Sequence, residues 1–262
     1  VGSEMCIRDS GKLQIDGNGE PIYGPRDEID LAKVAALGKP FWVAGSFAYP
    51  HRLREVLEVG GQGIQVGTAF AYCDESGLDP EFRANALRQV RAGTLGVFTD
   101  PVASPTGFPF KVVQSPDSLA EQNVYEERPR VCNLGYLRSV YKRDDGQLGY
   151  RCASEPVRSY MKKGGECAET EGRKCLCNAL MANIGLPQHR PNGYVEKPLF
   201  TAGDDLPAVV RFLGHERDNY TAAEVVQYLL ESSGIKFSVD TISDEVVREK
   251  RKLGNEEAKI LV

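Results

Sequence analysis

The sequence predicts an α/β fold built on parallel strands, and three observations point that way. Two short apolar runs, FWVAG (41–45) and GIQVGTAF (63–70), stand one amphipathic segment apart. Apolar residues at helical spacing recur before, between and after them. Each run also ends in a small-residue step, Ala44-Gly45-Ser46 and then Val66-Gly67-Thr68. Strands alternating with helices are the pattern of a parallel sheet, because each crossover returns the chain to the same edge direction.

Taken in order, residues 16–24 are rich in Gly and Pro and read as turns. Asp27 or Asp30 can cap a helix whose apolar positions are Leu31, Val34, Ala35 and Leu37, with Gly38 as its stop. Residues 41–44 then form a buried strand. Pro50 suits a first helical turn; Leu53, Val56 and Leu57 supply one apolar face, and Gly60-Gly61 close the helix. Residues 63–66 make the second buried strand, parallel to the first. Asp79-Pro80 starts a further helix over 81–90, the aspartate accepting from the first amides and the proline sparing one.

After Gly93 the strand–helix repetition stops. FTDPVASPTGFPFKVV (98–113) reads as a long ordered connection or a cover over the mouth of the fold. The remainder reads as helical: Asp204 or Asp205 caps an apolar face of Leu206, Val209, Val210 and Leu213, and Thr221 with Glu224 forms a capping box. The last stretch, from Thr241, is densely charged.

Composition narrows the function classes. The chain has 262 residues, 41% hydrophobic and 26% charged, with 32 basic against 37 acidic residues and a net charge of -5. No basic stripe marks a nucleic-acid surface, and no apolar run approaches the ~20 residues of a membrane helix. Seven cysteines without a hydrophobic signal segment imply free thiols in a reducing cytoplasm. Five of them, Cys132, Cys152, Cys167, Cys175 and Cys177, cluster in one third of the chain. Their spacing lacks a Cys-x-x-Cys knuckle, so no metal site is expected, and small buried hydrophobes are the alternative. Cys73 stands five residues past Thr68 and reads as a packing residue near the strand end.

The two small-residue steps have a chemical reading. In a parallel barrel of strands and helices, ligands sit at the carboxyl ends of the strands, where the last loops commonly hold a phosphate. Glycine lets backbone approach an anion closely, so the amides of Ser46 and Thr68, helped by their hydroxyls, become donors.

Over residues 11–230 the sequence resembles the nitronate monooxygenases, also called 2-nitropropane dioxygenases. The resemblance rests on PFWVAGSFAYPHRLREVLEVGGQGIQVGTAFAYCDESGL (40–78), SPTGFPFKV (104–112), EPVRSYMKKGG (155–165) and CLCNALMANIG (175–185). It implies an FMN-dependent TIM (β/α)8 barrel, here incomplete and represented by its last strands and helices, followed by a mainly helical, Cys-containing C-terminal region. Residues 1–10 then read as a non-native leader, 11–93 as the C-terminal part of the barrel, 94–235 as the loop and helical region, and 236–262 as a charged tail. The family's FMN-phosphate segments fall on Gly45 and Ser46, and on Gln65, Val66, Gly67 and Thr68. Ser46 replaces a glycine of the family pattern, so its amide can serve only if its backbone avoids positive φ.

The resemblance further implies oxidative denitrification of a nitronate or nitroalkane with O2 by a cytoplasmic protein, with no nucleic-acid or membrane partner. The family's catalytic histidine sits in a Gly-Gly-His segment that is absent here. His51, His189 and His215 are poor substitutes, one in a helical first turn and two in loops, so the base is expected upstream of Gly11 and the chain alone is expected to be inactive. Two alternatives stand beside this reading: a flavin-dependent enoyl-carrier-protein reductase, and a cysteine-based metal-binding module.

Overall fold

The two apolar runs pair in parallel, as the alternation requires, but over a shorter length than their composition suggests. In the computed structural model, which describes residues 8–9, 12–24, 27–215 and 217–231, β3 (Trp42–Val43) and β4 (Gly63–Ile64) align Trp42 with Gly63 and Val43 with Ile64. Between them runs α2 (Pro50–Glu58), with Pro50 in its first turn and Leu53 and Val56 buried beneath it. Two strands, β1 (Arg8–Asp9) and β2 (Lys12–Leu13), and the short α1 (Leu31–Ala35) precede this unit. The chain entering α1 is capped by Asp30, whose carboxylate accepts from the Lys33 amide, and Gly38 turns the chain out at φ 61°. After β4 come the single turn α3 (Thr68–Ala71) and α4 (Pro80–Ala92); Asp79 accepts from the amides of Glu81 and Phe82, and Gly93 ends α4 in the left-handed region.

Four expectations need correction. First, the strand at 41–44 is not buried on both faces: Val43 is 3% exposed but Trp42 is 58% exposed. The described residues hold four separate two-stranded sheets in a mixed α/β arrangement and no closed barrel, so nothing covers the outer face of β3. The same lack of a partner leaves α1 without a buried residue and Leu37 71% exposed.

Second, residues 98–113 are not a plain connection. They carry most of an antiparallel hairpin, β5 (Val97–Asp100) with β6 (Phe110–Val113). Third, the region beyond is not mainly helical. It contains α5 (Gln122–Glu127) and then a second hairpin, β7 (Ser139–Lys142) with β8 (Leu148–Arg151), turned at Gly146 with φ 80°. Two short helices follow, α6 (Val157–Lys162) and α7 (Leu176–Asn183), with a 3-10 turn at Cys167–Thr170 between them.

Fourth, Leu206–Phe212 is a 3-10 helix and not an α-helix. Its period of three turns Leu206, Val209 and Phe212 inward and leaves Val210 43% exposed, where an α-helical reading had placed Val210 in the buried face. The final element, α8 (Ala222–Glu231), does carry the predicted capping box: the Thr221 amide donates to Glu224 at 2.8 Å and the Glu224 amide to the Thr221 hydroxyl at 3.2 Å. Leader residues 1–7 and 10 and the charged tail 236–262 lie outside the described residues.

Among the described residues no helix is long and apolar enough to cross a membrane. The main core joins α3, α4, the start of the first hairpin and the last two helices, with Tyr72, Leu87, Leu206, Val209, Tyr220 and Val225 nearly or fully buried. A smaller cluster, Ala103, Val112, Leu119, Leu176, Ala179 and Leu199, lies where the hairpin meets α7.

The turn after α2 is unusually tight. The Gly61 amide donates to the Val56 carbonyl at 2.8 Å. A Cβ on Gly61 would lie 2.8 Å from that same oxygen and 3.0 Å from the Phe41 ring. Replacing Gly61 by alanine is therefore expected to cost about 1–3 kcal/mol in urea unfolding of the full chain. Gly96→Ala, with no atom within 4 Å of its added methyl, should stay within about 0.5 kcal/mol.

Candidate functional site

Each strand of the parallel pair delivers a bend in place of a third residue pair. Beyond β3 the chain turns through Gly45 at φ 90° and Ser46 at φ 58°. Positive φ is ordinary for glycine and costs a serine roughly 1–2 kcal/mol, so the condition on Ser46 is not met and this bend is strained. Beyond β4, the Gln65 amide still reaches the Val43 carbonyl at 2.8 Å, and Gly67 then caps α3 through its own carbonyl. No chain atom lies within 4 Å of where a Gly67 side chain would project.

These bends face one another. Gly45, Ser46, Gln65, Val66, Gly67 and Thr68, the six residues singled out from sequence, all line a single cavity of about 500 Å³. Its far wall comes from Thr201, Ala202, Gly203 and Asp205, of which only Asp205 is a candidate from sequence, as a helix cap. A second cavity of about 420 Å³ shares Gly45, Ser46 and Thr201 to Gly203 with the first, and adds Tyr23, Lys111 and Asp204.

Thr68 joins the two walls. Its hydroxyl donates to Asp205 Oδ1 at 2.8 Å and accepts from the Gly203 amide at 2.9 Å, and the residue is only 7% exposed. The hydroxyl hydrogen predicted to serve a phosphate is thus committed to Asp205, which leaves the backbone to supply donors on this side. Gly203 is required for the contact, since a Cβ there would sit 2.5 Å from Asp205 Oδ1. Asp205 itself makes no cap to the 3-10 helix it precedes, having turned to Thr68 instead.

Lys111 is the cation of the second cavity. Its Nζ donates to Asp204 Oδ2 at 2.7 Å, and to the Thr99 and Tyr23 hydroxyls at 3.2 Å each. Burial presses its pKa down, but Asp204 and Tyr23 together outweigh that and hold it above the ordinary lysine value.

The remaining candidates lie elsewhere. None of the three histidines lines either cavity: His51, His189 and His215 are exposed, with His51 tilted against Tyr49. Cys73 is buried in the main core, its thiol donating to the Phe70 carbonyl at 3.1 Å, and burial raises its pKa. Among the described residues no three His, Cys, Asp or Glu side chains gather in a way that could hold a metal ion.

No family model matches the chain, and no curated protein does. Among solved structures, a mutant of FabK from Thermotoga maritima aligns with a TM-score of 0.36 at 14% identity. The alignment covers 86% of this chain and 48% of that one, so the chain spans about half the length of that structure. A likeness this loose defines neither fold nor activity.

The downstream wall had a faint signal in the sequence. Gly203-Asp204-Asp205 carries two carboxylates where one cap would do, and the spare acidic residues turn out to bind Lys111 and Thr68. Nothing local to Thr201 or Lys111 announces a position opposite Gly45, because that pairing is purely tertiary.

Two outcomes follow from this geometry. Thr68→Val keeps the shape but strands the Asp205 carboxylate and the Gly203 amide, so it should cost about 1–3 kcal/mol in urea unfolding, whereas Thr68→Ser should cost much less. The Lys111–Asp204 pair sets a pH dependence of defined sign. Because the folded pKa of Lys111 is raised, its contribution is fully present below about 10.4, the unfolded value, and is lost as pH rises through the folded value. Melting curves of the native chain and Lys111→Met should therefore differ at pH 8, and the difference should shrink as pH rises above the ordinary lysine value.

Proposed function

We propose that the chain carries the FMN-phosphate end of a flavin-dependent oxidoreductase of the nitronate monooxygenase type. The observation that supports this most is the convergence of two successive parallel-strand ends, at Gly45-Ser46 and Gly67-Thr68, on one cavity. Ligands of parallel α/β folds occupy such strand ends.

The residues present fit a phosphate in space and in donors. Gly67 opens onto free space, so an anion can approach its backbone closely. Among the described residues, the amides of Gly67 and Thr68 make no hydrogen bond to the chain, leaving two donors at the same corner. The Ser46 and Thr201 hydroxyls add neutral donors. One group opposes an anion: the Asp205 carboxylate in the cavity wall, whose charge is partly satisfied by Thr68. Lys111 lines the adjoining cavity, where its charge is paired with Asp204 and its hydrogens are held by Asp204, Thr99 and Tyr23.

FMN, when bound, would supply the redox chemistry, accepting electrons from the substrate ahead of O2. The chain's own share is to hold the phosphate by backbone and to wall the adjoining cavity with Tyr23, Phe110 and Lys111. No histidine lines either cavity among the described residues. The carrier-protein reductase reading uses the same phosphate corner and differs in its substrate.

The test is phosphate recognition. Flavin fluorescence titrations of the full chain should give tighter binding of FMN than of riboflavin, by at least about tenfold. Gly67→Val grows a side chain from a position where an added Cβ meets no atom beyond its chain neighbours within 4 Å, at a backbone φ of -100° that valine accepts. It should abolish the preference for FMN while leaving the unfolding midpoint unchanged. Equal binding of the two flavins, or a Gly67→Val chain that still prefers FMN, would overturn the assignment. In the whole protein, O2 uptake with propane-2-nitronate against NADH consumption with an enoyl thioester separates the two substrate classes.

A further inference from the structure

The second hairpin and the end of α6 enclose a third cavity, of about 550 Å³, which shares no residue with the two at the strand ends. Five cationic side chains line it: Lys142 and Arg143 where β7 ends, Arg151 at the end of β8, and Lys162 and Lys163 where α6 stops. Two carboxylates of the hairpin turn, Asp144 and Asp145, line it as well.

One of the five cations is built into the fold. The Arg151 guanidinium lies between two rings, 5.3 Å from the Tyr141 centroid and 5.1 Å from that of Tyr160, and its Nη1 donates to the Lys163 carbonyl at 2.9 Å. Both rings keep their places through glycines. Tyr141 lies across its cross-strand partner Gly149, where a Cβ would come within 2.5 Å of the ring, and a Cβ on Gly165 would collide with the Tyr160 ring. The remaining N–H groups of Arg151 have no hydrogen-bond partner among the described residues. An arginine clamped in this way has little freedom left to lose when it meets a ligand, and its planar fork matches two oxygens of a phosphate.

The other four cations are not equivalent. Lys163 is engaged by Glu155, its ammonium 2.7 and 2.9 Å from the two carboxylate oxygens. Lys142, Arg143 and Lys162 are exposed, and their side chains make no hydrogen bond or ion pair among the described residues. With Lys163 paired, four cations stand against two carboxylates, and one of those, Asp145, already accepts from the Gln147 amide at 2.9 Å. Lysines on an exposed hairpin are ordinarily a solvated surface. Here they surround a half-buried guanidinium that packing has fixed, and the surplus of positive charge is left for an ion from solution.

We propose that this cavity binds a soluble, multiply charged phosphate compound, with two phosphate oxygens on Arg151 and the others facing Lys142, Arg143 and Lys162. A carboxylate would spend both of its oxygens on the guanidinium fork, whereas a phosphate keeps charged oxygens for the free cations. The volume lies within the roughly 300–1,000 Å³ of small-molecule sites, which leaves room for more than one phosphate group. The exposed apolar residues of the hairpin, Val140, Leu148 and Tyr150, alternate with Tyr141, Gly149 and Arg151 and so occupy the opposite face of the ribbon. No apolar border seats the cavity on a bilayer, and the ligand is therefore a dissolved one. The site is independent of the flavin reading.

The probe is inorganic triphosphate, titrated calorimetrically into the full chain. Binding should persist in Gly67→Val, which alters the flavin-phosphate corner and not this cavity. It should weaken about fivefold or more in the double variant Arg143→Gln with Lys162→Gln. A charge-matched double variant, Lys39→Gln with Arg88→Gln, removes two exposed cations elsewhere and should bind as the unmutated chain does. All four substituted side chains are exposed, so the unfolding midpoints of both doubles should match that of the unmutated chain. Absence of triphosphate binding, equal loss in the two doubles, or loss in Gly67→Val would overturn the proposal; failure of the FMN preference would leave it standing. Sedimentation with phosphatidic-acid vesicles separates the two sources of phosphate. The chain should stay in the supernatant, and capture on vesicles that Arg143→Gln with Lys162→Gln abolishes would overturn the assignment to a soluble ligand.

Discussion

One hydroxyl holds the candidate site together. Thr68 stands at the end of the second parallel strand, and its side chain is saturated from both sides by a segment more than a hundred residues downstream. That segment is fixed in turn by the Val113 amide on the Phe200 carbonyl at 2.9 Å and by the Phe200 ring stacked on Phe82 of α4. The parallel pair and the segment entering the 3-10 helix thus meet at a single buried polar group, and the first hairpin holds that segment through Phe200. A buried hydroxyl with both partners in place contributes modestly, but losing one partner costs the desolvation of the other. The cavity has a far wall only because both partners are kept.

The same economy explains what could be read along the chain. Helix starts were legible where a side chain caps locally: Asp30, Asp79 and the Thr221–Glu224 box all make the hydrogen bonds their positions predict. The parallel pairing of 41–44 with 63–66 was legible from alternation, and the six small or polar residues at the strand ends do share one cavity. These signals lie within a few residues of what they determine. The extent of the strands did not follow, because burial on two faces depends on layers that the described residues do not place over Trp42.

The misses have physical causes that differ from one another. The β7–β8 hairpin carried a usable mark, Asp145-Gly146 between Ser-Val-Tyr-Lys and Leu-Gly-Tyr-Arg, and a turn glycine at φ 80° is what that mark means. The β5–β6 hairpin carried a weaker one, since its nine-residue connection, six of them Pro, Ser, Thr or Gly, reads as loop. For Leu206–Phe212, Pro207 fits the start of either helix type, and the choice of a threefold period was made by the core into which Leu206, Val209 and Phe212 fit. Ser46 shows the opposite relation: its residue type argues against a left-handed bend, and the strand end imposes one regardless.

Charge around the paired cavities completes the picture. Two adjacent carboxylates would ordinarily disqualify a wall from meeting an anion, yet each is engaged before a ligand arrives, Asp204 by the Lys111 ammonium and Asp205 by the Thr68 hydroxyl. What remains pointed at the corner between Gly45 and Gly67 is backbone. Amide dipoles held by a folded turn lose no side-chain entropy on binding and carry no net charge to be screened, whereas a lysine clamp pays both. The corner therefore presents neutral backbone, while Lys111, kept charged by Asp204, stands in the adjoining cavity with its hydrogens held by Asp204, Thr99 and Tyr23.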